Sequence, residues 1–204
     1  MTVFLHNGDL PDNLDFGTSV AVDTETLGLN PHRDRLCLVQ LSSGDGNAHL
    51  VQLAPDGFSK AKNLKALLSN DKVLKIFHFA RFDLAVTYKY LGVRCAPVYC
   101  TKIAAKMTRT YTERNGLKDL CKELLGVEIS KQQQTSDWGQ ATLTAEQQNY
   151  AAGDVLYLHQ LKEKLDALLA REGRAALAQE CYDFLPARAE LDLLGWEDPD
   201  IFAH

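Results

Sequence analysis

Three apolar, β-rich runs follow one another at short intervals, Ser19 to Val22, Leu36 to Leu41 and Ala48 to Leu53, and a fourth, Val73 to Phe77, comes only after a helical stretch. Runs of this length bounded by turn residues read as strands. The close spacing of the first three predicts a meander, with Ser42-Ser-Gly-Asp-Gly-Asn47 as the hairpin turn, where glycines and Asn supply positive φ. Helical patterns then recur at Ala61 to Leu68, Arg81 to Leu91, Thr101 to Met107 and Leu117 to Leu125, as helices that cross between parallel strands and cover the sheet. Thr144-Ala-Glu-Gln147 fits a capping box, and Ala151, Val155, Leu158, Leu161, Leu165 and Leu168 follow at helical spacing, predicting one helix from Thr144 to about Arg171. A shorter helix is expected from Arg174 to about Phe184, ending near Pro186. The fold class is α/β, and no internal repeat or low-complexity tract interrupts it.

Composition limits what such a fold can be. The chain has 204 residues, 46% hydrophobic and 24% charged, the profile of one compact soluble domain over 1–204. Residues 174–204 read as a C-terminal helix followed by an acidic, aromatic tail. The segment Glu190 to His204 holds five acids, no Lys or Arg, and the aromatics Trp196 and Phe202, so docking on its own domain or on a neighbour is expected. No apolar run approaches the roughly 18 residues of a membrane span, and Met1-Thr-Val-Phe-Leu-His lacks the features of a secretory signal. A cytoplasmic protein without a membrane partner is the expectation. Five cysteines, Cys37, Cys95, Cys100, Cys121 and Cys181, form no C-x-x-C pair and read as reduced, partly buried thiols. A net charge of −5 argues against coating long duplex nucleic acid, while short or locally gripped substrates stay open.

The chemistry concentrates in acids. Ser19-Val-Ala-Val-Asp23-Thr-Glu25-Thr joins an apolar strand to two carboxylates, and because side chains alternate, Asp23 and Glu25 point the same way. A solvated strand end looks the same when taken alone. Apolar strand followed by D-x-D-x-T is also how a haloacid-dehalogenase-like phosphatase presents its nucleophile, but Gly153-Asp154-Val-Leu-Tyr-Leu-His159 lacks the second acid such enzymes carry. Lys75-Ile-Phe-His-Phe-Ala-Arg-Phe-Asp83 is a strand breaking into a helix start, where the macrodipole favours an acid. In Tyr150-Ala-Ala-Gly-Asp154, the phenol and the carboxylate lie four apart on one helix face, at the margin of the apolar stripe. An unpaired buried carboxylate is costly. Asp23, Glu25, Asp83 and Asp154 together carry about four negative charges, enough for two hard divalent cations, Mg²⁺ or Mn²⁺, with oxygen ligands. Two such ions about 3.5–4 Å apart can stabilise both the attacking and the leaving oxygen of an in-line displacement at phosphorus.

Asp23-x-Glu25, the Asp83 segment and Tyr150-x-x-x-Asp154, in this order, resemble the DEDD 3′-5′ exonucleases, in the subgroup with Tyr in the last motif. The likeness is to the catalytic domain of ribonuclease D, over Ser19 to about Leu168 and including Ser136-Asp-Trp138. It implies a ribonuclease H-like fold, a mixed central sheet flanked by helices, with the four acids as metal ligands. Ribonuclease D itself adds C-terminal helical domains, and a chain without them is the expectation here. Together with Arg109-Thr-Tyr-Thr-Glu-Arg-Asn-Gly-Leu-Lys-Asp-Leu120, Ser130-Lys-Gln-Gln-Gln134 and the tail from Arg188 to His204, this makes the chain similar to the nanoRNase C group nearly end to end. That resemblance implies a bacterial cytoplasmic enzyme that degrades very short RNA, dinucleotides such as linearised cyclic-di-GMP above all, to nucleoside 5′-monophosphates, as a homo-octamer. Trimming of longer RNA 3′ ends or of DNA is the alternative within the family, and a catalytically idle nucleic-acid-binding scaffold the alternative outside it. One departure is Cys100, which replaces a common Asp and receives no role.

By this resemblance, Asp23, Glu25 and Asp154 hold the ion that activates water, and Asp23 with Asp83 the ion facing the leaving oxygen. Tyr150, whose ordinary pKa of about 10 acidic neighbours would raise, reads as a neutral phenol orienting the nucleophile. Thr24 and Leu27 border the acid pair as substrate contacts, Leu27 as a wedge against terminal bases. His78 and Arg81 flank the Asp83 turn as candidate phosphate contacts; His78, between Phe77 and Phe79, is equally a candidate core histidine. Six basic residues against two acids between Lys102 and Lys122 leave a local charge of +4, in which Arg109, Tyr111 and Arg114 are the candidates to grip phosphate and stack a base.

Overall fold

The computed structural model describes residues 2–198 and 201, except Lys131 and Gln134; Phe202 therefore lies outside the described residues. The chain runs β1 (Thr2–Asn7), β2 (Ser19–Thr26), β3 (Leu36–Ser42), β4 (Asn47–Gln52), α1 (Lys62–Ser69), β5 (Leu74–Phe77), α2 (Ala80–Leu91), β6 (Val98–Cys100), α3 (Thr101–Thr108), α4 (Leu117–Leu120, continued by a π turn over Cys121–Leu125), α5 (Ala145–Leu156), α6 (Leu158–Arg171) and α7 (Ala175–Leu193). The strands form one sheet in the order β1-β4-β3-β2-β5-β6. β2, β3 and β4 pair antiparallel, the predicted meander, and Gly44 and Gly46 take the positive φ of the turn, 82° and 85°. β1 joins β4, β5 joins β2 and β6 joins β5, all in parallel. This is the mixed, helix-flanked sheet of the ribonuclease H-like class.

Every residue of β3 is buried, because helices cover both faces of the sheet's centre. Val20, Val22, Leu36, Val39, Leu41, Ile76 and Phe77 fill the main core with Leu158, Leu161 and Leu165 of α6. A second cluster, Cys37, Leu38, Leu50, Trp138, Leu143 and Ala151, lies under α5. Four of the five cysteines are buried and all five are free thiols. Among the described residues, no helix is long and apolar enough to cross a membrane.

Besides β1 and β6, two strands the sequence reading lacks, four elements depart from expectation. β2 continues past Val22 to Thr26, so both acids stand within the strand, with a register shift between Glu25 and Thr26. The capping box at Thr144 forms as predicted, but the helix breaks at Tyr157 (φ −106°, ψ −2°). That single residue redirects the chain: α5 packs on β3 and β4, whereas α6 packs on α3 and β5. α7 passes through Pro186 and reaches Leu193; buried Tyr182, Leu185, Pro186 and Ala189 hold it, and its main partner is α2. Packing here outweighs the lost backbone donor of proline. The helix from Leu117 widens to a π turn before Gly126 ends it at φ 72°.

Candidate active site

β2 lies between β3 and β5, and its C-terminal half brings Asp23 and Glu25 to one end of the sheet. β5 runs parallel beside it and ends at Phe77. The chain then turns through Phe79, a non-glycine residue in the left-handed region (φ 68°, ψ 47°), straight into α2, which puts Asp83 in the first helical turn. α5, capped at Thr144 and laid across β3 and β4, carries Tyr150 and Asp154 to the same place. Three segments far apart in sequence thus converge.

Carboxylate oxygens of Asp23, Glu25 and Asp154 all lie within 4.8 Å of one another. Asp83 joins through Thr24, whose hydroxyl donates to its Oδ1 at 2.6 Å. Among the described residues, no ion pair reaches Asp23, Glu25 or Asp83. The electrostatic cost is visible in their proton affinities. Burial, then the charges of Asp83, Asp154 and Glu25, push Asp23 well above its usual value. Burial with Asp154 and Asp83 lifts Glu25 to about 9. Burial raises Asp83 to about 7, an increase that the Thr24 hydroxyl bond opposes. Carboxyls that hold protons this strongly lack positive charge, and an all-oxygen set within 4.8 Å suits a hard divalent cation. Tyr150 is driven upward by burial first and by Asp154, Glu25 and Asp23 next, so its phenol is neutral at physiological pH. Trp138 packs beside its ring at 6.0 Å between centroids.

The remaining sequence candidates divide. Leu27 is 52% exposed just beyond the acid pair. Its Cδ2 lies 2.5 Å from where a Cβ on Gly139 would stand, so Leu27 rests against the backbone of the Trp138 loop. His78 Nδ1 lies 2.9 Å from the Thr101 hydroxyl, which itself donates to the Phe77 carbonyl at 3.1 Å. Arg81 makes a two-pronged pair with Asp192, Nε to Oδ2 at 2.6 Å and Nη2 to Oδ1 at 2.7 Å, and so ties α2 to the end of α7. Arg109 corrects the expectation of an exposed phosphate contact. It is 1% exposed, and its guanidinium is taken up by the Arg114 carbonyl (2.8 Å), the Asn115 side chain (3.3 Å) and the Glu123 carboxylate. Its charge folds the 109–123 segment instead of facing solvent. Arg114 pairs with Asp119 and Glu123, and Tyr111 stands 77% exposed. At the C-terminus, Trp196 is half exposed, while its carbonyl accepts from Arg188 at 2.8 Å, so this part of the tail folds back on α7.

Two polar partners of the site were absent from the sequence candidates, Thr101 behind His78 and Gln40 on β3. Gln40 left a legible trace, the one polar residue within Leu36 to Leu41 apart from a buried cysteine. Thr101 left none.

Comparison with known proteins agrees with this geometry. The chain belongs to a 3′-5′ exonuclease family whose pattern matches residues 9–170. It is similar to Brucella melitensis NrnC solved with bound Mg²⁺ (55% identity, TM-score 0.95, 100% of both chains) and solved bound to pGG (55% identity, TM-score 0.96, 100% of this chain and 99% of that one). Ribonuclease D of Nitrobacter hamburgensis is 34% identical over 179 residues, 83% of this chain and 46% of that protein. The chain therefore spans about half the length of the ribonuclease D relatives it matches. Escherichia coli RNase D superposes with TM-score 0.72 at 28% identity, over 85% of this chain and 45% of that one. Membership in this family removes the phosphatase alternative.

Proposed function

We propose that this chain is a metal-dependent 3′-5′ exoribonuclease that degrades short single-stranded RNA, dinucleotides above all, to nucleoside 5′-monophosphates. The observation that carries the reading is the convergence of Asp23, Glu25 and Asp154 within 4.8 Å, with Asp83 attached through Thr24 and Tyr150 alongside. Asp23, Glu25 and Asp154 would hold one divalent cation, and Asp23 with Asp83 a second, Mg²⁺ or Mn²⁺. When bound, such ions make water nucleophilic near neutral pH and neutralise charge on the oxygens of phosphorus.

The chain's own groups do the positioning. Hydrolysis adds water oxygen to the terminal phosphorus and breaks its bond to the 3′ oxygen of the preceding nucleotide, which takes up a proton and becomes the new 3′ hydroxyl. Tyr150, held neutral by its surroundings, keeps its proton and orients the attacking water or a phosphate oxygen by hydrogen bonding. Leu27, half exposed beside the acids, packs against the terminal base. His78, fixed through Thr101 beside the Asp83 turn, serves as a phosphate contact. Exposed Tyr111 and Arg114 fit a role at the far end of a short substrate or at a neighbouring protomer's site, within the homo-octamer the nanoRNase C resemblance implies. Work on such fragments belongs in the cytoplasm.

The preference for dinucleotides draws support from the pGG bound to Brucella NrnC. Turnover of a dinucleotide, a longer single strand and a structured RNA compared under the same conditions tests it. Faster release from the dinucleotide supports the reading, and equal rates place the chain with ribonuclease D-like trimming enzymes. Asp154→Ala, folded but reduced in turnover by at least about a hundred-fold, separates an enzyme from an idle binding scaffold.

A further inference from the structure

Gln40 occupies a place that packing alone does not explain. β3 is buried along its whole length, and Gln40 is fully buried within it. It stands directly opposite Asp23 on β2 and Leu50 on β4, so all three side chains share the sheet face that α5 covers. Leu38, two residues earlier on the same face, packs with Leu50, Trp138 and Ala151 in an apolar cluster. An apolar residue at position 40 would extend that cluster. The amide that is there instead has four hydrogen-bonding positions to fill. Its Nε2 donates to Asp23 Oδ2 across 3.4 Å, and its Oε1 finds no protein partner among the described residues. A buried amide with an unmet acceptor weakens a core, so what it does for Asp23 is the natural reason for its presence.

We infer that Gln40 is a positioning residue for the cation site: by donating to Asp23 Oδ2 from the opposite strand, it fixes the carboxylate's rotation so that its other oxygen faces Glu25 and Asp154. The inference rests on the metal-dependent reading above. Hydrogen bonds behind a metal-binding carboxylate orient it and tune its affinity, and losing one typically weakens metal binding by about 10–100-fold. A purely structural role for Gln40 predicts the reverse pattern, lost stability with unchanged affinity.

Gln40→Met and Gln40→Leu keep the side chain's bulk while removing both the donor and the unmet acceptor. Mn²⁺ titrated calorimetrically into the full-length wild type and both variants measures affinity without any reaction, and thermal unfolding in chelator reports the fold. The expected result is an unfolding temperature equal to or above that of the wild type, together with a Mn²⁺ dissociation constant raised at least about ten-fold. Turnover of a dinucleotide would then return toward the wild-type rate as Mn²⁺ is increased. Affinity within two-fold of the wild type in either folded variant overturns the inference and leaves the metal site standing, as does a loss of folding in both. Absence of Mn²⁺ binding by the wild type itself would overturn the metal-dependent reading as well.

Discussion

Replacing Glu25 by Gln in the metal-free protein exposes the electrostatic cost of the acid cluster. In the native state Glu25 keeps its proton up to about 9 against an ordinary 4.5, Asp83 up to about 7 against 3.8, and Asp23 is raised as well. The unfolded chain has already released these protons, so the native state binds more of them and stability must fall as pH rises through the interval. Other groups act with the opposite sign, but elsewhere. His6, His49 and His159 have lowered pKa values and add stability only as pH rises toward 6.5. Lys75, buried between the Asn70 and Ala96 carbonyls and lowered to about 8 from 10.5, adds stability only above about 8. Between about pH 6.5 and 8 the acids therefore dominate, and Glu25 alone accounts for about 2 kcal/mol across that window. For a chain of this size that is a fall of about 4–8 °C in Tm. Scanning calorimetry in EDTA at the two ends of the window, on the wild type and Glu25→Gln, measures it. The variant should lose less on going to the higher pH and be the more stable protein there, and added Mn²⁺ should raise the wild type's Tm far more than the variant's. A wild-type Tm that is level or rises across the window, or equal slopes in the two proteins, would refute the reasoning.

Thr24→Val removes the hydroxyl that holds Asp83 down, so the acid limb of the pH–rate profile should move up by about half to one pH unit with the fold intact. Tyr150→Phe should lower kcat by about 10–100-fold, and the wild-type profile should show no falling limb from this phenol below about pH 10. Arg81→Ala takes the two-pronged partner from the buried Asp192 carboxylate and leaves it paired, among the described residues, with Arg188 alone, at 3.0 Å. Because the arginine is partly solvated, the cost is about 1–3 kcal/mol, read as a lower urea midpoint with the metal affinity of the acid cluster unchanged.

The meander, the capped helix at Thr144 and the three acidic segments were legible because each has a local signature: closely spaced apolar runs, a Thr and Gln three apart, and carboxylates at element boundaries. β1 was not, since Val3, Phe4 and Leu5 follow one another without polar alternation in Thr2–Asn7 and none of the strand's residues is fully buried. β6, three residues long, is defined by pairing with β5 rather than by its own pattern. The break at Tyr157 carries neither glycine nor proline, and the apolar spacing runs on through Leu156 and Leu158 as if the helix were continuous. Pro186 misleads in the other direction, for α7 is long and buried enough to tolerate it. Within the site, the acids and Thr24 could be named from sequence and Gln40 stood out in its apolar run, but which groups touch could not be read. Gln40, Thr101 and the inward turn of Arg109 depend on partners 17, 24 and 14 residues away, distances over which sequence spacing says nothing about contact.

The most direct test is crystallographic: anomalous diffraction from crystals of the full-length protein grown with Mn²⁺. The account predicts an anomalous peak bounded by carboxylate oxygens of Asp23, Glu25 and Asp154, with a second between Asp23 and Asp83. Crystals with Mn²⁺ bound elsewhere and the four acids unliganded would contradict it.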